Sequence, residues 1–215
     1  MSASTTDRIL SAAERLFAEH GYDRASLRKM TRLAKVNLAA VNYHYRDKQS
    51  LYVAVIMRRI EPMNQVRLAK LNQAEELAGD NPVPLAVILE IMARPLFELC
   101  DGVDKGEISI ARIIGRSMAD PLPIMDEIVT RQFQPAMARF GQAIRRHVPA
   151  LSPEDFLWRL SFVVGALHHT LATMHRMNEL TRGICRNNDR EGALRRFIQF
   201  GVDTFAHAEI RLTSG

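Results

Sequence analysis

Apolar residues recur every three or four positions through most of the chain, a spacing that predicts helices with one buried face. In the first such stretch, residues 7–20, the repeated positions are Ile9, Ala12, Ala13, Leu16 and Phe17. Thr5 or Thr6 is expected to cap this helix and Gly21 to end it. No stretch alternates apolar and polar residues with the period of two that marks a strand. The pattern therefore predicts an all-α fold.

Residues 26–48, SLRKMTRLAKVNLAAVNYHYRDK, have the pattern of two short helices joined by a tight turn. The first helix is predicted at 27–34 with Ser26 as its cap, and the second at 38–45 with Asn37 as its cap. The residues expected to face inward are Leu27, Met30 and Ala34 in the first helix and Leu38, Val41 and Tyr45 in the second. The outward residues of the second helix are Ala39, Ala40, Asn42 and Tyr43. Their small, polar and aromatic side chains suit insertion into a DNA major groove.

Helical spacing continues to the end of the chain. A helix that begins at Lys48 runs on without a flexible linker, and Pro62 is expected to kink or break it. Further helices are predicted at 85–100, 108–118, 124–148, 153–180 and 191–211. Pro95 and Pro135 are expected to disturb the helices that contain them, and Ser152 is expected to cap the fourth of this series.

Positive charge is concentrated at the N-terminal end of the chain. Residues 1–60 contain eleven Lys and Arg against five Asp and Glu, a net charge of +6, whereas the whole chain of 215 residues carries +5. Charge segregated in this way supplies the salt-dependent attraction to phosphate on which DNA binding depends. It weighs against the alternative that residues 26–48 form a purely structural helical hairpin.

Composition indicates a cytoplasmic protein. Cys100 and Cys185 lie in no disulfide or metal motif, which fits a reducing compartment. The first residues, MSASTTDR, lack the basic start and apolar run of a signal peptide. The apolar runs are far shorter than the ~20 residues that span a bilayer, so no membrane partner is expected.

The segment 34–48 resembles the end of the helix-turn-helix of TetR-type transcriptional regulators, a run of the form A-G-V-S-x-G-x-L-Y-x-H-F-x-x-K. The matching residues are Ala34, Val36, His44 and Lys48, with conservative changes at Asn37, Val41 and Tyr45. Lys35 replaces the turn glycine, so a non-glycine residue is expected near positive φ at a cost of roughly 1 kcal/mol. Ala39 and Asn42 are the other departures.

The resemblance implies a helix-turn-helix DNA-binding domain at 1–47 and a larger helical effector-binding and dimerisation domain at 48–215. It implies a homodimeric regulator, most simply a repressor, that binds double-stranded DNA at a palindromic operator and leaves it when a small apolar effector binds. The positions that match DNA contacts in the family are Ser26, Arg28, Ala40, Tyr43, His44 and Lys48. To these we add four residues at the start and on the surface of the second short helix, Asn37, Leu38, Ala39 and Asn42. The segments NLAAVNYHY, GRSMADP, RQFQP and LWRLSFVVGAL are similar to a subgroup that senses fatty acids or acyl derivatives.

The last two predicted helices carry apolar stripes with steps of three and four residues, which suit long helices packed side by side. The stripes allow two interpretations: the core of one chain, or a two-fold interface between two chains. The resemblance favours the second, because these regulators dimerise through their final two helices. The predicted interface residues are Leu160, Val164, Leu167, His168, Leu171, Ile198, Gly201 and Phe205.

The middle helices are expected to enclose the effector. The apolar candidates are Met92, Leu96, Ile110, Ile114, Met118, Phe133 and Met137. Arg112 and Arg116 lie one turn apart and would hold an anionic head group, such as a carboxylate. The alternative is an ordinary core for the apolar residues and a solvated face or internal salt bridge for the arginines.

Enzymatic and metal-dependent functions find no support in the sequence. His168 and His175 lie two turns apart, ~10.5 Å of helical rise, too far for both to hold one metal ion. No metal motif, nucleophile–base set or glycine-rich phosphate loop is recognisable, so no cofactor is predicted. The other rival is a nucleoid-type DNA-binding protein without an effector, against which the long, nearly neutral helical remainder argues.

Overall fold

The computed structural model describes residues 4–98, 113 and 133–206, and these residues are helical with short connections and no strand. The all-α fold predicted from the sequence is confirmed for them. The helices are α1 (Thr5–Arg24), α2 (Leu27–Ala34), α3 (Leu38–Tyr45), α4 (Lys48–Ala78), α5 (Leu85–Glu98), α6 (Gln134–Arg145), α7 (Pro153–Thr173), α8 (Met177–Leu180) and α9 (Arg190–Ala206), with a 3-10 turn at Met174–Arg176 between α7 and α8. The helix predicted at 108–118 and the first part of that at 124–148 lie outside the described residues.

Three of the predicted helix ends are corrected by the structure. Ser4, not Thr5 or Thr6, caps α1, because its side chain accepts a hydrogen bond from the Asp7 backbone N–H. Gly21 departs from helical geometry at φ 77° and ψ 176°, yet the helix resumes to Arg24. The helix predicted at 153–180 ends instead at Thr173, where the chain tightens into the 3-10 turn.

Two of the three prolines expected to disturb helices lie inside helices that continue past them. Pro62 lies inside α4, which runs for 31 residues to Ala78. Pro95 lies inside α5, which runs for 14 residues to Glu98. Burial of the surrounding apolar residues, among them Ile60 and Leu96, offsets the hydrogen bond that each proline removes.

The first of two compact units includes the described residues up to Asn64. Its centre is aromatic: the ring centroids of Phe17 and Tyr52 are 4.8 Å apart and those of Tyr22 and Tyr52 are 5.1 Å apart. Phe17, Met30 and Val41 are almost fully buried and bring one residue each from α1, α2 and α3. The unit continues into α4 beyond residue 47, because Tyr52 packs among residues of α1.

The second compact unit comprises Gln65–Glu98 and the described residues from Gln134 onward. The start of α7 lies beside the end of α9, because Arg159 donates a hydrogen bond to the Thr204 carbonyl at 2.7 Å and Phe156 contacts Phe205. The two helices therefore form an antiparallel hairpin. At Gly201 a Cβ atom would lie only 2.7 Å from Leu89, so glycine permits the close approach of α9 to α5.

Candidate nucleic-acid interface

The turn between α2 and α3 contains the strained residue that the sequence predicted. Lys35 adopts φ 54° and ψ 49°, the left-handed region. Its backbone N–H bonds to the carbonyl of Arg32, and the N–H of Val36 bonds to that of Thr31, at 3.2 and 3.0 Å. These bonds end α2 abruptly and direct the chain into α3.

Helix α3 is fixed at its start by a side chain and held to the core by two buried residues. The Asn37 Oδ1 accepts a hydrogen bond from the Ala40 backbone N–H at 2.8 Å. Val41 is 0% exposed and Tyr45 is 9% exposed. On the other side Ala39, Asn42, Tyr43 and His44 are exposed, Tyr43 by 85%. Most of the residues expected to read DNA therefore face solvent together, and Ala40 among them is half-buried.

Leu38 does not face inward as the spacing suggested. Its side chain is 43% exposed. Leu38 is the first residue of an eight-residue helix, so its side chain projects past the core that Val41 and Tyr45 already fill. This exposure agrees with its place among the predicted DNA-contacting residues.

The start of α2 leaves two predicted DNA contacts available. Ser26 occupies the cap position, but its side chain makes no capping hydrogen bond, contrary to the sequence-based expectation. Arg28 is exposed. Thr31 donates from its hydroxyl to the Arg28 carbonyl at 3.0 Å, a bond that involves the Arg28 backbone and not its guanidinium.

The ammonium group of Lys48 is held in place by contacts within the protein. Its ammonium group donates to the Asp23 carbonyl at 3.1 Å and lies 4.6 Å from the Tyr22 ring centroid. Partial burial lowers the pKa of Lys48, and the negative charge of Asp23 opposes that shift. Lys48 therefore joins the end of α1 to the start of α4.

Two groups of basic residues in the first unit differ in their surroundings. Arg58 and Arg59 of α4 pair with acids of α1, Arg58 with Asp7 at 3.4 Å and Arg59 with Glu14 at 3.1 Å. The exposed cations of the α2–α3 segment are Arg28, Lys29, Arg32, Lys35 and Arg46. The charge excess found in the sequence is therefore presented by the helix-turn-helix segment itself.

Half of the eight predicted interface residues are buried inside the second unit. These four are Leu167, Leu171, Gly201 and Phe205. Leu160, Val164, His168 and Ile198 are half-buried. The exposed large apolar residues of α7 and α9 are instead Leu157, Trp158, Phe162 and Phe200. The buried half of the predicted stripe packs within the chain, and the assignment of the stripe to an interface stays a prediction.

The structure describes part of the predicted effector pocket. Met92 and Leu96 are buried in α5, and Phe133 and Met137 are half-buried. The other five predicted pocket residues, Ile110, Arg112, Ile114, Arg116 and Met118, lie outside the described residues.

A buried arginine in the second unit was missed by the sequence reasoning. Arg67 is 3% exposed, and its guanidinium lies 5.1 Å from the Phe140 ring centroid. Burial lowers its pKa to about 10. Burial lowers the pKa of His168, and the positive charge of the nearby Arg67 lowers it further. Its spacing could have indicated its burial, because Arg67 lies one helical turn before the buried Leu71 on α4.

Neither a metal site nor a membrane span is found within the described ranges. No group of three or more His, Cys, Asp or Glu residues there has the arrangement to hold a metal ion. None of the helices described is both long and apolar enough to cross a membrane.

Comparison with known families covers both parts of the chain. A model described as "Bacterial regulatory proteins, tetR family" matches residues 9–55. A second, described as "Tetracyclin repressor-like, C-terminal domain", matches residues 90–202, more than half of the chain.

Two curated relatives match in a shorter stretch. The HTH-type transcriptional repressor Rv1474c of Mycobacterium tuberculosis is 36% identical over 77 residues, which are 36% of this chain and 38% of the relative. The HTH-type transcriptional repressor BepR of Brucella suis is 31% identical over 87 residues, 40% of this chain and 39% of the relative. The chain thus spans about two fifths of the length of these relatives.

Solved structures with low sequence identity share the fold. The fatty acid degradation regulator FadR from Bacillus halodurans superposes with a TM-score of 0.68 at 13% identity, covering 91% of this chain and 97% of that one. A TetR transcriptional regulator from Legionella pneumophila gives a TM-score of 0.63 at 18% identity, covering 92% and 97%.

Proposed function

The chain belongs to the TetR family of bacterial regulatory proteins, and from that membership we propose that it is a homodimeric transcriptional repressor rather than an enzyme. In this proposal two copies bind one palindromic operator in double-stranded DNA. A small, largely apolar effector releases them.

The observation that carries the DNA-binding part is the exposed side of α3. A capped helix of eight residues presents small, polar and aromatic side chains on a segment whose exposed charged residues are mostly basic. That combination supports insertion into the major groove, with phosphate attraction supplied by the flanking cations.

The individual contacts follow from side-chain chemistry. We assign Arg28 to a guanine edge, and Ala40 with the exposed Leu38 to thymine methyl groups. Tyr43, His44, Ser26 and Lys48 are assigned to phosphates, which position the protein without reading sequence. Asn37, Ala39 and Asn42 complete the surface of α3 that faces the groove.

Selection from a pool of random duplexes tests the DNA-binding proposal. We expect an inverted repeat whose half-sites lie about one DNA turn, roughly 35 Å, apart, because a two-fold dimer presents two recognition helices. Footprinting on the selected duplex should then protect one discrete site. Enrichment of a single asymmetric half-site, or uniform coating of any duplex, would contradict the palindromic-operator proposal.

The dimer is supported by the exposed apolar side of the α7–α9 hairpin. Trp158, Phe162 and Phe200 are 57%, 59% and 45% exposed. Large apolar side chains grouped on one surface of a protein commonly mark a protein interface.

For the effector we propose a molecule with a long apolar part and an acid head. The sequence resemblance points to fatty acids or acyl derivatives, and the structural neighbour FadR is named as a regulator of fatty acid degradation. Arg67 is a separate candidate for the head group within the second unit, because its guanidinium is buried beside Phe140 and close to His168. The buried Met92 and Leu96, with Met137, supply adaptable apolar surface.

Titration of long-chain fatty acids and acyl-CoA thioesters against a labelled operator complex tests the effector. We expect release with a coupling of ~1–3 kcal/mol, roughly 5- to 150-fold in operator affinity. The Arg67→Met variant and the Arg112→Ala, Arg116→Ala double variant should require more ligand, while Arg146→Met, an exposed change on the same unit, should not. Unchanged release in both tests would remove the head-group assignment. If no small apolar compound altered operator affinity, the effector itself would be refuted.

A further inference from the structure

The last part of α7 and the first part of α9 enclose a cleft that contains none of the residues assigned above to DNA or to the effector. We propose that this cleft is a second small-molecule site of the protein, and that its ligand is an aromatic carboxylate or sulfonate. A ligand bound there would act in addition to the effector, because the two sites have no residue in common.

The cleft exists because small side chains lie at this end of the α7–α9 hairpin. Ala166 of α7 and Ala193 of α9 both line it, and the connection between the helices, residues 174–189, provides most of the remaining lining. At the other end of the hairpin the rings of Phe156 and Phe205 are in contact instead. The space left between the helices is about 940 Å³. Small-molecule pockets in proteins commonly measure roughly 300–1,000 Å³, so the cleft has room for an organic ligand.

The floor of the cleft is apolar and suits a flat ring. Met174 and Phe197 line it and are each 6% exposed. The Phe197 ring is held from behind by Phe97 of α5, with ring centroids 6.3 Å apart. Met177 and Phe200 also line the cleft. Aromatic rings stack on one another with an offset, and methionine sulfur makes favourable contacts with ring edges, so this set of side chains favours an aromatic ligand.

The charged residues of the lining favour an anion. They are Arg186, Arg196 and Asp189. The Asp189 carboxylate is already engaged, because it accepts hydrogen bonds from the Gly192 backbone N–H at 3.0 Å and from Arg196 at 3.3 Å. The Arg186 guanidinium makes no hydrogen bond or ion pair within the described part of the chain. A carboxylate or sulfonate on the ligand would therefore find a cation at the edge of an apolar floor.

The surroundings of the cleft strengthen this preference. Residues 176–196 contain six Arg against three Asp and Glu, a net charge of +3, although residues 61–215 as a whole sum to −1. One of the three acids, Glu191, pairs with Arg94 of α5 at 2.7 Å. Positive charge is therefore concentrated a second time in the chain, and it raises the local concentration of small anions near the cleft.

Cys185 provides a natural reporter of occupancy. It lines the cleft, and its thiol is free and exposed. Its backbone N–H donates to the Thr181 hydroxyl at 2.8 Å, which fixes its place in the connection. The chain has one other cysteine, so the Cys100→Ser variant leaves Cys185 as its only thiol. The rate at which iodoacetamide alkylates this thiol then measures whether the cleft is filled, independently of DNA binding.

Protection of Cys185 by anilinonaphthalene sulfonate, a fluorescent aromatic anion, tests the site. At a probe concentration about ten times the dissociation constant given by its fluorescence, alkylation should slow roughly tenfold, because about one site in eleven is then empty. The matched control is Leu77→Cys in a background with Cys100→Ser and Cys185→Ser, since Leu77 is 83% exposed and lies on α4. Its alkylation rate should not change. An unprotected Cys185 would overturn the site.

Neutral arginine replacements test the charge preference. Arg186→Gln and Arg196→Gln should each raise the probe concentration needed for protection by roughly two- to fivefold, the range for exposed ion pairs. Arg195→Gln is the matched control, because Arg195 is an exposed neighbour of Arg196 that does not line the cleft. Phenylnaphthylamine, which has the same rings without the sulfonate, should protect more weakly and to the same degree in all three variants. Equal weakening by all three changes would refute the anion assignment.

Dodecanoate separates this site from the effector site of the proposed function. We expect it to leave Cys185 unprotected at concentrations that release the operator, because a flexible chain lacks the ring that the floor favours. Protection of Cys185 and operator release over the same dodecanoate range would make the cleft the effector pocket and overturn a second site, while the repressor proposal would stand. Protection by the aromatic anion in a protein that selects no operator would support the site and refute the repressor.

Discussion

Arg28 lies exposed at the start of α2 and is the residue to which we assign base recognition. Replacing it with alanine should relax preference at one base pair by roughly 1–3 kcal/mol. Competition binding over all single-base variants of the selected operator measures this directly. Lys29→Ala is the matched control, because it removes the same charge from the neighbouring position and should weaken every duplex alike. Unchanged base preference in Arg28→Ala would refute the assignment.

Lys48 combines a structural role with its predicted phosphate contact. Its ammonium bonds to the Asp23 carbonyl and lies over the Tyr22 ring. Lys48→Ala should therefore lower the free energy of unfolding by about 1 kcal/mol and also reduce the salt dependence of DNA binding. Urea unfolding and binding at several salt concentrations measure the two effects. If only the free energy of unfolding changed, Lys48 would be a structural contact between α1 and α4 and not a phosphate ligand.

His168 should make stability depend on pH. Burial, and then the charge of Arg67, lower its pKa below the ordinary 6.5. The unfolded chain therefore binds the proton first as pH falls, so this contribution to stability is present above 6.5 and is lost below it. Urea unfolding at about pH 7.5 and about pH 5.5 should show a decline in wild type that is smaller in His168→Gln. The exposed neighbour provides the control: His169→Gln should retain the wild-type decline, and an equal decline in both variants would contradict the prediction.

At the scale of elements, the turn before α3 places a non-glycine residue in a backbone conformation that favours glycine. Lys35 holds a left-handed conformation that glycine adopts without strain. Lys35→Gly should raise the free energy of unfolding by about 0.5–1 kcal/mol, the relief of strain less the greater entropy of unfolded glycine. Lys29→Gly, inside α2, should instead destabilise by about 1 kcal/mol. Equal destabilisation in both variants would show that the Lys35 side chain contributes more than its backbone strain costs.

The same α2–α3 segment explains why α3 needs little core of its own. Its cap, Asn37, and its two buried residues fix its position, and its remaining surface is left for DNA. A helix of eight residues has little intrinsic stability in water, so its anchoring by Val41 and Tyr45 matters more than its helix propensity.

At the scale of the whole molecule, folding and assembly use opposite sides of α7. Leu171 is 7% exposed and Phe162 is 59% exposed. Leu171→Asp should cost about 3–5 kcal/mol of folding free energy, because it removes core packing and buries a charge. Phe162→Asp should leave the unfolding transition nearly unchanged but weaken dimerisation and operator binding together.

Denaturation and sedimentation of the two variants distinguish these effects. A folded, monomeric Phe162→Asp protein beside an unfolded or strongly destabilised Leu171→Asp protein is the expected pair of results. A stable Leu171→Asp protein that fails only to dimerise would instead return the interface to the buried stripe.

Much of the molecule was determined by local sequence alone. The helix periods, the Asn37 and Ser152 caps and the positive φ at Lys35 all depend on residues within a few positions of one another. The exposed side of α3, to which we assign DNA recognition, depends on equally local residues, since Val41 and Tyr45 orient the helix. The family membership that the 34–48 motif suggested also rests on local residues.

Only the tertiary structure decided which side of each long helix faces the core. A spacing of three and four residues is the same for a stripe that packs within one chain and for a stripe that packs between chains, so the buried Leu167 and Leu171 could not be distinguished from interface residues by period. Burial of Arg67 likewise depends on Phe140, which lies far away in sequence. Both properties arise from contacts between distant segments, and burial is a property of those contacts rather than of the residues themselves.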